Sequence, residues 1–194
     1  MSSETVPNES VRNEIESLRQ ELRRLRDHEE IRQLMYRYAR GVDRADAAKL
    51  RSVYAPGGTD RHGRFDGPGE QFADRIVEGA RKVWDCVGNH HITNILIELD
   101  ETDPDRARAE VYFIAYHPHA DNGFPELGII SGRYLDNLER HDGAWGIARR
   151  VVLSDWTRNH MDGPEWEFTS ERGGFPVGRR GDGDLSYEFF AARD

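Results

Sequence analysis

Residues 70–100 read EQFADRIVEGARKVWDCVGNHHITNILIELD, and the hydrophobic period changes in the middle of them. Up to Trp84, the residues Phe72, Ile76, Ala80 and Val83 recur at helical spacing and form one apolar face. From His90 onward the pattern alternates, as in a strand. The alternation returns in RARAEVYFIAYH (106–117), LGIISGRYLDNLER (127–140) and AWGIARRVVLSDWTR (144–158). DETDPD (100–105) and HDG (141–143) carry the Asp, Pro and Gly that turns require. Four long strands joined by short turns predict an antiparallel meander.

Upstream, residues 1–10 are polar and expected to be disordered. Val11, Ile15, Leu18, Leu22 and Leu25 are then spaced 4, 3, 4, 3, an a/d heptad stripe with charged residues between. About two heptads are too few for an independent coiled coil, so this helix is expected to pack on the domain or on a neighbouring subunit. His28 breaks the stripe, and a second helical pattern follows in Ile31, Leu34, Met35, Tyr38 and Val42. Asp46 reads as the N-cap of a short helix, AAKLRSVY (47–54), and a turn-rich stretch (55–70) holds a short strand near Thr59–His62. The expected division is a disordered start and heptad helix (1–26), a main domain (27–157) and a C-terminal tail (158–194). In the tail, Phe175, Tyr187, Phe189 and Phe190 are placed to close a cavity mouth, as a lid or subunit strap. The fold class is α+β: a cone-shaped, curved antiparallel sheet packed by helices, with a cavity suited to a small apolar ligand.

Composition narrows the function. The 194 residues carry a net charge of −9, and the basic run RQELRRLR (19–26) lies among glutamates, which disfavours a nucleic-acid partner. Cys86 stands alone, so neither an intrachain disulfide nor a cysteine-based metal site can form. No run approaches the roughly 20 apolar residues that cross a bilayer, and MSSETVPNES has no signal or transit pattern. A cytoplasmic protein with no membrane partner is expected. Phosphate loop, serine elbow, HExxH and CxxC motifs are absent, and His117 and His119 around Pro118 have no third ligand at a recognisable spacing. No cofactor and no metal are expected.

IRQLMYRYARGVDRAD (31–46), HHITN (90–94) and ERHDGAWGIARRVVLSDW (139–156) resemble the SnoaL-like branch of the nuclear-transport-factor-2-like superfamily over residues 27–157. That branch includes bile acid 7α-dehydratase, scytalone dehydratase and hexachlorocyclohexane dehydrochlorinase. The resemblance implies a cystatin-like α+β barrel, a cofactor-independent lyase activity and a homo-oligomer, a trimer favoured over a dimer. It assigns Asp43 as the carboxylate that orients His90, the general base, and it places Tyr38 and Arg150 as catalytic partners. The bile acid enzyme has a further Asp on its second long strand, and VYFIAY (111–116) has none near Ala115.

The residues themselves leave alternatives open. In a regular strand His90, Ile92, Asn94 and Leu96 share one face and His91 lies on the other; only the family spacing selects His90. Asp43 has the alternative role of capping a helix, Tyr38 lies on an apolar stripe as a core residue would, and one of Arg149 and Arg150 faces solvent. His62, Asn94, Tyr112, Tyr116, Tyr134 and Trp156 are the candidates for substrate contact, with His117 and His119 as further wall residues. The same dyad serves elimination, a double-bond shift or cyclisation, and a non-catalytic hydrophobic-ligand or assembly protein is the rival reading.

Overall fold

The computed structural model describes residues 9–83, 88–121, 124–161 and 181–183. Cys86, the four tail aromatics and the side chain of His119 lie outside the described residues. The chain forms helices α1 (Glu9–Asp43), α2 (Ala47–Arg51) and α3 (Gly69–Val83), and strands β1 (Tyr54–His62), β2 (Phe65–Pro68), β3 (Asn89–Leu99), β4 (Arg106–Asp121), β5 (Phe124–His141) and β6 (Ala144–Met161).

The meander β3–β4–β5–β6 is antiparallel throughout, and Asp142 and Gly143 take the positive φ of a two-residue hairpin turn. The full order is β2-β1-β6-β5-β4-β3, with β1 running parallel to β6. The sheet is therefore mixed rather than wholly antiparallel. Local alternation carries no information about the direction of a strand that reaches its neighbour across most of the chain.

The two helical patterns on either side of His28 are one helix, α1. Its side chains are exposed up to Arg26, and burial begins at Asp27 and continues through Ile31, Leu34, Met35 and Tyr38. What changes at His28 is the face that carries apolar residues, not the backbone. Asp27 fixes this crossing point: its carboxylate accepts from Arg140 Nη2 (2.6 Å) and Trp145 Nε1 (3.3 Å), with the Arg140 guanidinium over the Trp145 ring. At its C-terminus, Ala45 (φ 50°) donates to Val42 and Asp46 donates to Gly41, the paired bonds of a Schellman ending. The Asp46 side chain then accepts from Lys49 N–H (2.9 Å) and starts α2, which stops at Arg51 so that Tyr54 already belongs to β1.

The core lies between the inner sheet face (Ile97, Val111, Phe113, Leu138, Ile147) and α1 with α3. Irregularities in register bend the sheet over this core, at Ile92/Ile95, Ser131/Gly132 and Asn137/Leu138. At Gly132 the two chains approach so closely that a Cβ would lie 2.0 Å from the Leu153 carbonyl oxygen and 2.9 Å from Phe113 Cζ. Gly132→Ala is expected to cost about 1–3 kcal/mol through overpacking, read as a lowered urea midpoint with near-native circular dichroism.

Candidate active site

Asp43 is the last residue of α1, and β3 begins beside it. The backbone N–H of His90 donates to both carboxylate oxygens (3.0 and 3.1 Å), and the ring Nδ1 lies 2.7 Å from Oδ1. An ionised carboxylate only accepts, so the ring proton sits on Nδ1 and the lone pair is left on Nε2. Both side chains are nearly enclosed, at 8% and 13% exposure. The helix-cap role for Asp43 does not materialise; its acceptors are spent on β3.

His90 and Asp43 line a cavity of about 510 Å³ whose wall is otherwise mostly apolar, including Val42, Phe72, Ile76, Phe113, Ile130 and Val152. Tyr38, Tyr134, His62, His117, Arg75 and Ser154 are the other polar members of the wall. The His117 ring stands edge-on to His90, with centroids 5.2 Å apart. Tyr38 and Asp43 lie about 140° apart on an ideal helix, yet both reach the cavity because it wraps the end of α1.

Arg150 lies beneath this cavity instead of in its wall. It is fully buried, donates from Nε and Nη2 to the two oxygens of Asp136 (2.8 and 2.7 Å), and is held between the rings of Tyr38 and Tyr134 at 4.0 and 4.1 Å. Burial works against its charge, but the Asp136 carboxylate outweighs that and holds the guanidinium above its usual range. Arg149 takes the opposite side and is exposed. Burial also raises the hydroxyls of Tyr38 and Tyr134, so both are neutral donors at physiological pH.

Four expected contact residues lie elsewhere. Asn94 is exposed, because the irregularity between Ile92 and Ile95 reverses the alternation of β3: His90 and Ile92 point inward, then Ile95 and Ile97. Tyr112 and Tyr116 sit on the outer face of β4, the first under Arg133 and the second edge-on to His91. Trp156 is 51% exposed on β6. On β4 the inward positions are Phe113, Ala115 and His117.

The sequence reading missed Asp60 and Asp136, the carboxylates that serve this floor. Asp60 is fully buried on β1; its Oδ2 accepts from Tyr54 Oη at 2.6 Å. Its Oδ1 has no hydrogen-bond partner among the described residues and lies 3.7 Å from His62 Nδ1, likewise without one. The His62 ring stacks on Phe72 and faces the cavity. The signal was the i, i+2 spacing of TDRH, which puts Asp60 and His62 on one side of a strand. Burial pushes Asp60 up to about 6. Burial, reinforced by Arg150, His90 and His117, lowers His62 to about 4.

A model of the SnoaL-like domain family matches residues 23–151, more than half of the chain. The protein belongs to the SnoaL-like family. Among solved structures it is similar to a scytalone dehydratase-like protein of Novosphingobium aromaticivorans, at 21% identity and TM-score 0.61, covering 73% of this chain and 92% of that one. A hexachlorocyclohexane dehydrochlorinase (LinA-type3) of Novosphingobium barchaimii gives 19%, 0.63, 74% and 99%. A nuclear-transport-factor-2-like protein with a cystatin-like fold from N. aromaticivorans gives 22%, 0.58, 71% and 88%. These likenesses establish the fold. No curated protein matches the sequence. No helix among the described residues is long and apolar enough to cross a membrane, and among the same residues no three His, Cys, Asp or Glu side chains converge as metal ligands would.

Two outcomes follow from the buried charges. Asp136→Ala strands the Arg150 guanidinium and is expected to cost about 3–5 kcal/mol, measured by chemical denaturation. The Asp60 carboxyl binds its proton more readily in the native state, so its contribution to stability grows as pH falls from about 6 towards 3.8. The His62 ring stays neutral in the native state, so its contribution shrinks as pH falls from 6.5 towards about 4. The two oppose each other. Asp60→Asn therefore loses more stability than wild type between pH 7 and 4.5, by about 1–3 kcal/mol, and His62→Gln loses less; urea midpoints at the two pH values read both.

Proposed function

We propose that this chain is a cofactor-independent lyase that performs dehydratase-like elimination on a small, mostly apolar, cyclic molecule. The observation that carries the reading is the His90–Asp43 contact at the wall of an apolar cavity. A ligand pocket of this size needs no buried carboxylate on an imidazole, whereas a general base does. The family and the fold of its dehydratase-like and dehydrochlorinase neighbours support the lyase or isomerase class.

On this reading Nε2 of His90 removes a proton from a carbon next to an electron-withdrawing group. Asp43 holds the ring at Nδ1 and faces the imidazolium as it forms, which lowers the cost of charge in a cavity poor in other polar groups. The electron pair of the broken C–H bond forms the double bond, and hydroxide or halide leaves from the neighbouring carbon. Hydroxide needs a proton as it departs, and the Tyr38 hydroxyl, kept neutral by burial, is the donor for it. Arg150 acts at a distance, by fixing the Tyr38 and Tyr134 rings and lending them its charge. His62, which also lines the cavity, contacts the polar end of the substrate. The enzyme works as a homo-oligomer.

The test is a screen of cyclic β-hydroxy ketones and polychlorinated cyclohexanes, following conjugated-product absorbance and chloride release. One class is converted by wild type, with a primary isotope effect when the abstracted hydrogen is deuterium. His90→Ala and Asp43→Asn lower kcat by about 10²–10⁴-fold. Conversion unchanged in His90→Ala would sink the proposal.

A further inference from the structure

We propose that the N-terminal half of α1 is a parallel, in-register coiled coil with the same helix of another copy of this chain. This contact is independent of the chemistry in the cavity. Val11, Ile15, Leu18, Leu22 and Leu25 are 40–63% exposed, although they form an unbroken apolar line. At 100° per residue that line points roughly 180° away from the Ile31, Leu34 and Tyr38 face that α1 buries in its own domain. Tyr36, which continues the line along the domain, is 46% exposed. Because α1 is one continuous helix, the stripe cannot turn back onto its own sheet. None of the described residues covers it.

The charged residues beside the stripe name the partner and its direction. With Val11, Leu18 and Leu25 at d and Ile15 and Leu22 at a, the e positions are Arg12, Arg19 and Arg26, and the g positions are Glu14, Glu21 and His28. In a parallel, in-register pair each g residue meets the e residue five places on in its partner, which sets Glu14 against Arg19 and Glu21 against Arg26. An antiparallel pair would set Glu against Glu and Arg against Arg. Among the described residues Glu14, Glu21 and Arg26 make no ion pair, and Arg19 has only a 3.9 Å contact to Glu16 within the helix. A second copy of this chain supplies both the apolar line and the opposite charges at the required spacing. Two heptads are marginal for free peptides, whose association must also order the helix; here the domain already holds α1 helical. Parallel strands require an assembly with rotational symmetry about an axis along α1, of two or three copies.

The experiment uses the full chain with Cys86→Ser and Leu25→Cys. Under mild oxidation it is expected to form a disulfide-linked dimer, and its mass by sedimentation is that of two or three chains. Adding Glu14→Arg and Glu21→Arg lowers the cross-linking yield at least about tenfold. Mixing that variant with one carrying Arg19→Glu and Arg26→Glu instead restores it. In an antiparallel pair Leu25 would lie beside Val11 of the partner, about 21 Å from the partner's Leu25, and the cross-link would fail. Failure to cross-link, a single-chain mass, or a yield indifferent to the charge reversals would each overturn the proposal.

Discussion

The buried ion pair between Arg150 and Asp136 is the constraint around which the cavity is organised. A guanidinium taken wholly out of water is tolerated only where an opposite charge lies against it. Here one carboxylate on the neighbouring strand takes two of the guanidinium's donors, and two tyrosine rings cover the faces of the plane. The pair ties β5 to β6 in register, and the rings tie both strands to α1. Tyr134 in turn stacks on Phe113 of β4 at 4.4 Å. The helix that carries Asp43 is thereby positioned against the sheet that carries His90.

Two His–Asp pairs of different character stand at the cavity above this ion pair. In Asp43–His90 a carboxylate and an imidazole are bonded tightly, through both ring and backbone, so the ring has one tautomer and one orientation. In Asp60–His62 the two groups face each other without a hydrogen bond, and burial shifts both towards their neutral forms. Of this second pair only His62 lines the cavity, and its ring is held neutral there. That difference in environment, more than the count of polar groups, separates this cavity from a plain hydrophobic pocket.

Backbone irregularities decide which side chains take part. In β3 the slip at Thr93–Asn94 lets His90 face the cavity while Ile95 and Ile97 pack in the core, two sets that an unbroken strand would put on opposite faces. Gly132 lets β5 approach β6 where the sheet bends over the cavity. At the end of α1, the left-handed Ala45 turns the chain away immediately after Asp43, freeing that carboxylate to meet β3.

The sequence by itself determined the helices and the four-strand meander, because side-chain periodicity follows directly from residues per turn in a helix and from alternation in a strand. It also determined the family, through motifs that brought Asp43, His90 and Tyr38 forward. Tertiary structure alone decided the parallel β1–β6 pairing, the place of Arg150 below the cavity, and the exclusion of Asn94, Tyr112, Tyr116 and Trp156 from it. Asp136 was silent in the sequence, and the i, i+2 spacing of Asp60 and His62 did not reveal burial, because an acidic residue in a strand reads as solvent-facing until its partner is known. A bulge and a long-range partner act through residues far apart in the chain, and neither leaves a period to read. Charge spacing along α1 is the opposite case: it is written in the heptads, but it acquired meaning only once the fold showed that stripe facing outward.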